Sequence, residues 1–304
     1  EGFKSRLDRM TSPMFAAMMT DLSGGGPIGN CTVGEGGTTG IRSLCQAYGE
    51  LDAPLRFAVL GDSHGLALLR SFEQVSEKLD ASVIAAAVPA CPPLLGSVTH
   101  NGQVDSKLCR RLVRQHAQSV VDSDASAVVL AGRWSLYGGG GYDGPDLRFA
   151  LHIPGEKPPQ SANDALENLR VALERTVSFY RQAGLEVVVI QQLPEQKVNP
   201  RFVLERILLL GLSEAEAFDA MNGTSLSVLE HEEMQGPVRN VILDLKETGV
   251  HIVTLDRPFL QHGVLRWFDK NTVLYKDTNH ILANGAAMVA PALSQALQHS
   301  LRIH

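Results

Sequence analysis

The stretch Phe57-Ala58-Val59-Leu60-Gly61-Asp62-Ser63-His64-Gly65 holds the key to the fold. A short apolar run ending in glycine reads as a strand buried on both faces. Leu66 to Leu79 then carries apolar residues at helical spacing, so the strand passes directly into a helix. At the junction, Gly61-Asp62-Ser63-His64-Gly65 satisfies G-x-S-x-G. Glycines there permit a sharp turn that leaves the Ser63 hydroxyl at the C-terminal edge of a sheet. The helix start also points N–H groups at incoming negative charge. Gly-Asp-Ser is equally ordinary turn and N-cap chemistry, so the motif alone decides nothing about catalysis.

Outward from this unit, strands alternate with helices. Ser82 to Val88, Ala127 to Ala131, Glu186 to Gln191 and Val250 to Leu255 read as further buried strands. Lys107 to Val121, Ala162 to Gln182 and Ile281 to Leu297 read as helices. The pattern predicts an α/β three-layer sandwich with a central, mostly parallel five-stranded sheet. Residues 1–54 form an N-terminal extension, 55–304 the main domain, and 199–248 a helical insertion that caps or flanks it. Phe3 to Leu22 has helical spacing, and a Gly-rich stretch follows it. Gly24 to Gly29 formally matches G-x-G-x-x-G, but no strand precedes it and Pro27 interrupts it, so it reads as a loop. Gly138 to Gly141 reads as a mobile loop beside the end of the third strand, where α/β sites form.

Composition narrows the class. The 304 residues are 44% hydrophobic and 20% charged, enough apolar content for a core. A net charge of −6 argues against nucleic acid as the main partner, since phosphate binding needs a basic face. No apolar run approaches the ~18–20 residues of a membrane span. The chain begins at Glu1 with no initiator Met and no leader-like segment, as expected of a processed chain or a piece of a longer one. Cys31, Cys45, Cys91 and Cys109 form no Cys-x-x-Cys pair. Three disulfide connectivities are open, with four buried thiols as the competing reading. Pairing in sequence order would close loops of 14 and 18 residues, each worth about 3 kcal/mol. Two disulfides point to an oxidising compartment. His152, His231, His251 and His262 lack metal-ligand spacing, and His231-Glu232-Glu233 is not His-Glu-x-x-His. Neither metal nor cofactor is implied.

Asp277-Thr278-Asn279-His280 supplies what the serine motif lacks. A serine hydroxyl is a weak nucleophile until a histidine accepts its proton, and the histidine needs an acid to fix its tautomer. One tight turn before the last helix presents His280 toward the sheet edge with Asp277 beside it. Ser63, His280 and Asp277 therefore make a coherent triad. His64, adjacent to Ser63, is expected to point away from the substrate face.

These two motifs together resemble the SGNH (GDSL-like) hydrolase superfamily, with Gly-Asp-Ser on the first strand and Asp-x-x-His near the C-terminus. More narrowly, the chain looks like the SGNH domain behind the acyltransferase-3 membrane domain of bacterial envelope O-acyltransferases. Leu60 to His64, Cys91-Pro92-Pro93, Leu130 to Ser135 and Leu274 to His280 carry that likeness, which covers roughly residues 55–300. It implies an SGNH/flavodoxin-like fold, Ser63 as nucleophile, His280 as general base and Asp277 as its orienting acid. It also implies that the Ser63 N–H is one oxyanion donor, that the chain is a periplasmic fragment of an inner-membrane protein, and that residues 1–54 are a linker. The superfamily adds a glycine after strand two and an asparagine after strand three. Gly96 is a candidate for the first, against a plain turn role. The asparagine is missing, because Ala131 leads into Gly132-Arg133-Trp134. Arg133 is the candidate replacement, against pairing with a carboxylate while Trp134 packs in the core. Trp267 and Tyr275 flank the Asp277 turn and either line a sugar cleft or pack.

The resemblance implies an O-acyltransferase, with acetyl as the acyl group, that moves the acyl from a fused acyltransferase-3 domain through Ser63 to a hydroxyl of an envelope polysaccharide such as lipopolysaccharide. A carbohydrate O-acetyl esterase is the alternative with the same triad. A catalytically weak glycan-binding module is the third, motivated by the missing asparagine.

Overall fold

The computed structural model describes residue 18 and residues 28–33, 40–100, 102–141 and 144–302. The helix expected over Phe3 to Leu22 lies outside the described residues except for Met18, which is helical and buried. Most of the Gly24 to Gly29 stretch lies outside them as well.

The sheet has six strands: β1 (Ile41–Tyr48), β2 (Leu55–Gly61), β3 (Ala81–Ala87), β4 (Ala127–Ala131), β5 (Glu186–Ile190) and β6 (His251–Val253). In space they run β1-β3-β2-β4-β5-β6. β2 to β6 are the five expected strands and are all parallel. β1 is the addition, antiparallel to β3 at one edge with Ile41 opposite Ala87 and Cys45 opposite Ala85. An edge strand needs no continuous apolar run, and most of β1 is only partly buried.

The helices are α1 (Ser63–Leu68), α2 (Phe72–Leu79), α3 (Ser106–Val121), α4 (Trp134–Tyr137), α5 (Ala162–Gln182), α6 (Pro200–Leu210), α7 (Glu214–Gly223), α8 (Val228–Asp244) and α9 (Ala283–Ser300). None of the described helices is long and apolar enough to cross a membrane. The helix expected over Leu66 to Leu79 is split by a 3₁₀ turn at Leu69–Ser71, where the Ser71 hydroxyl donates to the Leu68 carbonyl at 2.6 Å. Strand alternation divides the core in two. Phe57 and Val59 join Phe72 and Val75 of α2 and Val289 and Leu293 of α9. Ala58 and Leu60 join Val120 of α3, Leu173 of α5 and Ile242 of α8. The 199–248 segment contributes to both: Leu204 and Ile207 of α6 to the first cluster, Val238 and Ile242 of α8 to the second.

The cysteines pair in sequence order. Cys31–Cys45 fastens residues 28–33 to β1, and Cys91–Cys109 fastens the segment after β3 to α3, with Cα separations of 5.7 and 5.6 Å. The expectation of a mobile Gly138 to Gly141 loop is corrected. Gly138 and Gly139 are buried: a Cβ on Gly138 would lie 2.7 Å from a Val238 methyl of α8, and one on Gly139 3.0 Å from Ala165 of α5, so these glycines admit close packing against their neighbours.

Candidate active site

Ser63 opens α1 immediately after β2. Glycine is required at Gly61 because a Cβ there would stand 2.6 Å from the Ala131 carbonyl of β4. Asp62 holds the turn. It is 1% exposed, its Oδ1 accepts the N–H of His64 at 2.8 Å and of Gly65 at 3.4 Å, and its Oδ2 accepts the Arg133 N–H at 2.9 Å and the Tyr137 hydroxyl at 2.6 Å. One buried carboxylate therefore caps α1 and ties it to the start of α4. Burial beside that carboxylate pushes the Tyr137 phenol well above its usual range.

The chain returns to this edge just before α9. A turn from Leu274 to Leu282 is closed by Lys276 N–H to His280 C=O and Leu282 N–H to Leu274 C=O, both 2.8 Å. Within it Asp277 Oδ1 accepts the N–H of Asn279 at 2.9 Å and of His280 at 2.8 Å. His280 Nδ1 meets Asp277 Oδ2 at 2.9 Å, and His280 Nε2 meets Ser63 Oγ at 2.9 Å. An ionised carboxylate only accepts, so Nδ1 carries the proton and Nε2 offers its lone pair to the serine hydroxyl. Burial works against ionisation of Asp277, but the His280 ring and the two turn N–H groups outweigh it and hold the carboxyl far below its usual range.

The sequence-derived triad is thus brought together by two turns 217 residues apart. It opens into a cleft of 760 Å³ walled by Ile28, Val33, Leu66, Lys276 and Leu282, and a neighbouring hollow of 150 Å³ is walled by Ala90, Arg133, Tyr137 and Asn279. Gly96 is elsewhere. Its carbonyl accepts from Arg175 of α5 at 2.9 Å, and it lines neither space. The left-handed residue that lines both is Ala90, φ +58°, just beyond β3. A β-carbon is strained in that conformation, so the position carries the geometry of a glycine without its identity.

Arg133 does pair with a carboxylate. Its Nε and Nη2 donate to Glu195 at 2.8 and 2.6 Å, and Ser135 and Gln192 donate to the same group. Burial alone would raise the Glu195 carboxyl, but Arg133 prevails and lowers it. Arg133 Nη1 has no partner among the described residues, and the side chain lines the hollow that holds Ser63. Trp134 is fully buried and donates to the Ile190 carbonyl at 2.7 Å. Trp267 and Tyr275 are also fully buried, so both pack rather than line a cleft. His64 lines neither space but lies against His280. No group of three or more His, Cys, Asp or Glu that suits a metal occurs among the described residues.

Residues 27–295 match the family model for the SGNH domain that is fused to AT3 domains. The chain belongs to this family. Among solved structures, this SGNH domain is similar to the periplasmic domain of a lipopolysaccharide acetyltransferase from Salmonella ser. Paratyphi A, with 12% identity, TM-score 0.53, and 80% of this chain and 83% of that one covered. It is also similar to a GDSL-like lipase from Bacteroides thetaiotaomicron, with 10% identity, TM-score 0.43, and coverage of 81% and 88%. No curated protein matches it. The likeness to the Salmonella domain, at a TM-score of 0.53, is a likeness of fold. At the level of reaction class, family membership supports acyl-group chemistry, either transfer or ester cleavage.

The sequence missed Glu195, Asn279 and Ala90 as parts of this site. Glu195 lies in a loop after a strand with no motif around it, Ala90 directly precedes Cys91-Pro92-Pro93 without a residue type that marks a left-handed turn, and Asn279 sits between Asp277 and His280.

Proposed function

We propose that this SGNH domain is a periplasmic O-acyltransferase that passes an acyl group, in the simplest case acetyl, through a Ser63 ester to a hydroxyl of a cell-envelope polysaccharide. The observation that carries the reading is the continuous relay from Asp277 through His280 to the Ser63 hydroxyl, with both links at 2.9 Å, opening on a cleft. Fusion of the family's SGNH domain to AT3 domains supports an attached membrane domain as the source of the acyl donor. The two disulfides fit an oxidising compartment.

In the first half-reaction His280 Nε2 takes the Ser63 proton as Oγ attacks the acyl carbonyl. The resulting oxyanion collapses, the bond to the donor breaks, and the His280 proton leaves with the departing group. In the second half, His280 deprotonates a sugar hydroxyl, which attacks the Ser63 ester, and Ser63 is released with its proton restored. Asp277 stabilises the imidazolium in both halves. The Ser63 N–H and Arg133 Nη1 are the groups we assign to the developing oxyanion. Each such donor is worth about 2.7–4 kcal/mol of barrier.

Water in place of the sugar gives an esterase with identical first chemistry. Assaying the domain and Ser63→Ala with an acetyl-ester donor, with and without oligosaccharide, tests the assignment. Acyl transfer to sugar that Ser63→Ala abolishes is the expected result. Hydrolysis indifferent to the oligosaccharide identifies the esterase, and activity that survives Ser63→Ala removes both.

A further inference from the structure

A second cavity lies beyond the catalytic cleft, between residues 98–100, the first turn of α3 and residues 152–158. Its volume is 390 Å³, within the range of small-ligand pockets. Val98 and His152 exchange backbone hydrogen bonds at 3.0 and 2.8 Å, which sets the His100 and His152 rings edge to face at 4.6 Å. Lys107 and Arg110 project into the same space from α3, with the Ser106 hydroxyl beside them. Neither Lys107 nor Arg110 has an ion-pair partner among the described residues, and Arg110 Nε is buried without a hydrogen-bond acceptor.

Two fixed cations, two imidazoles and a hydroxyl thus face one lining carboxylate, Glu156. Asp105 lies nearby, with its Oδ1 accepting the Leu108 N–H at 2.7 Å. In a chain of net charge −6, exposed Lys107 and half-buried Arg110 stand together on the wall of one open pocket. An oxyanion entering the pocket would meet Lys107 and Arg110 as cations, and charge-assisted hydrogen bonds to such groups are the strong ones. No trio of metal-suited side chains forms here among the described residues, and adjacent cations would repel a metal ion.

We infer that this cavity is an anion subsite for an oxyanion carried on a sugar, a phosphate or a carboxylate. Its relation to catalysis rests on the acyltransferase reading. Gln103 walls both spaces that contain Ser63, and Ser106 and Lys107 wall this one. Three residues of chain span at most about 10 Å, so one oligosaccharide can place a hydroxyl at Ser63 and a charged group here. The acceptor class that fits is a charged envelope glycan.

The test is a titration of isotopically labelled protein at neutral pH, following the His100 and His152 ring resonances with inorganic phosphate, glucose 6-phosphate, glucuronic acid and glucose. Saturable shifts with an anion and none with glucose are expected. They weaken at least tenfold in Lys107→Gln/Arg110→Gln, and weaken with added salt in the unaltered protein. Response to the two phosphates alone, or to glucuronic acid alone, tells which sugar-borne group the site takes. No saturable shift with any anion, or undiminished shifts in the double variant, overturns the subsite. Labelling of Ser63 by a fluorophosphonate is scored separately. Labelling without anion binding overturns the subsite and leaves the catalytic reading standing. Anion binding without labelling overturns the catalytic reading and upholds the subsite.

Discussion

His64 and His280 lie ring against ring, with centroids 4.9 Å apart and planes inclined by 57°. His64 Nε2 is hydrogen-bonded to Asn279 Oδ1 at 3.1 Å, so the residue after Ser63 braces the residue before His280. Burial above all, with His280 and Arg133 acting in the same direction, lowers the His64 pKa from 6.5 to about 4. A charged His64 beside His280 would oppose the imidazolium that the proposed mechanism requires, and this arrangement keeps it neutral.

That depression has a stability signature. The unfolded chain takes up a proton near pH 6.5, while folded His64 stays neutral down to about 4. Its contribution is therefore complete above pH 6.5, falls as pH drops from there to 4, and is fully lost below, a change of about 3 kcal/mol. Denaturant unfolding at several pH values should show His64→Gln losing less stability than the unaltered protein across that window. Parallel losses would refute the assignment.

Arg133 pairs with Glu195 and, in the proposed mechanism, also serves the oxyanion, and the two duties are separable. Arg133→Met should lower kcat about 10²–10³-fold if Nη1 serves the oxyanion. It should also cost about 3–5 kcal/mol of stability, because buried Glu195 loses its partner. Adding Glu195→Gln should restore much of the stability and none of the kcat. Recovery of kcat with stability would make Arg133 purely structural.

Asp62 is a strut with four hydrogen bonds. Asp62→Ala removes a helix cap worth about 1 kcal/mol and strands the buried Tyr137 hydroxyl and Arg133 N–H at about 1–3 kcal/mol each. Thermal unfolding should show a loss several times that of Tyr137→Phe, which removes only one of the four bonds. Equal losses would mean that the carboxylate does not link the two elements.

The Cys31–Cys45 disulfide holds the wall of the cleft that includes Ile28 and Val33. Replacing both cysteines by serine should cost about 3 kcal/mol of stability and raise KM for acyl donors. An unchanged KM would show that this wall does not contact the donor.

What was legible in the sequence follows from how each feature is encoded. β2, β3, β4 and β5 are continuous apolar runs, and Ala162–Gln182 is legible to its ends from its amphipathic spacing and from Gly184, left-handed at φ +84°, which closes it. β1 escaped because an edge strand beside a disulfide need not be apolar. The triad was readable because each half has fixed local spacing. Glu195 and Ala90 were not, since their places depend on backbone paths after β5 and β3 that no local pattern records. Gly96 attracted the oxyanion assignment by identity, whereas the left-handed backbone that lines the site belongs to an alanine.

The most direct measurement is capture of the acyl intermediate. The domain is incubated with an acetyl-ester donor, quenched in acid, and its peptides are mapped by mass spectrometry, alongside Ser63→Ala and His280→Ala. One acetyl ester on Ser63 is predicted. It should be absent from both variants, and it should discharge faster, with the acetyl recovered on sugar, when oligosaccharide is present. A folded protein that turns over the donor while Ser63 stays unmodified would contradict the account.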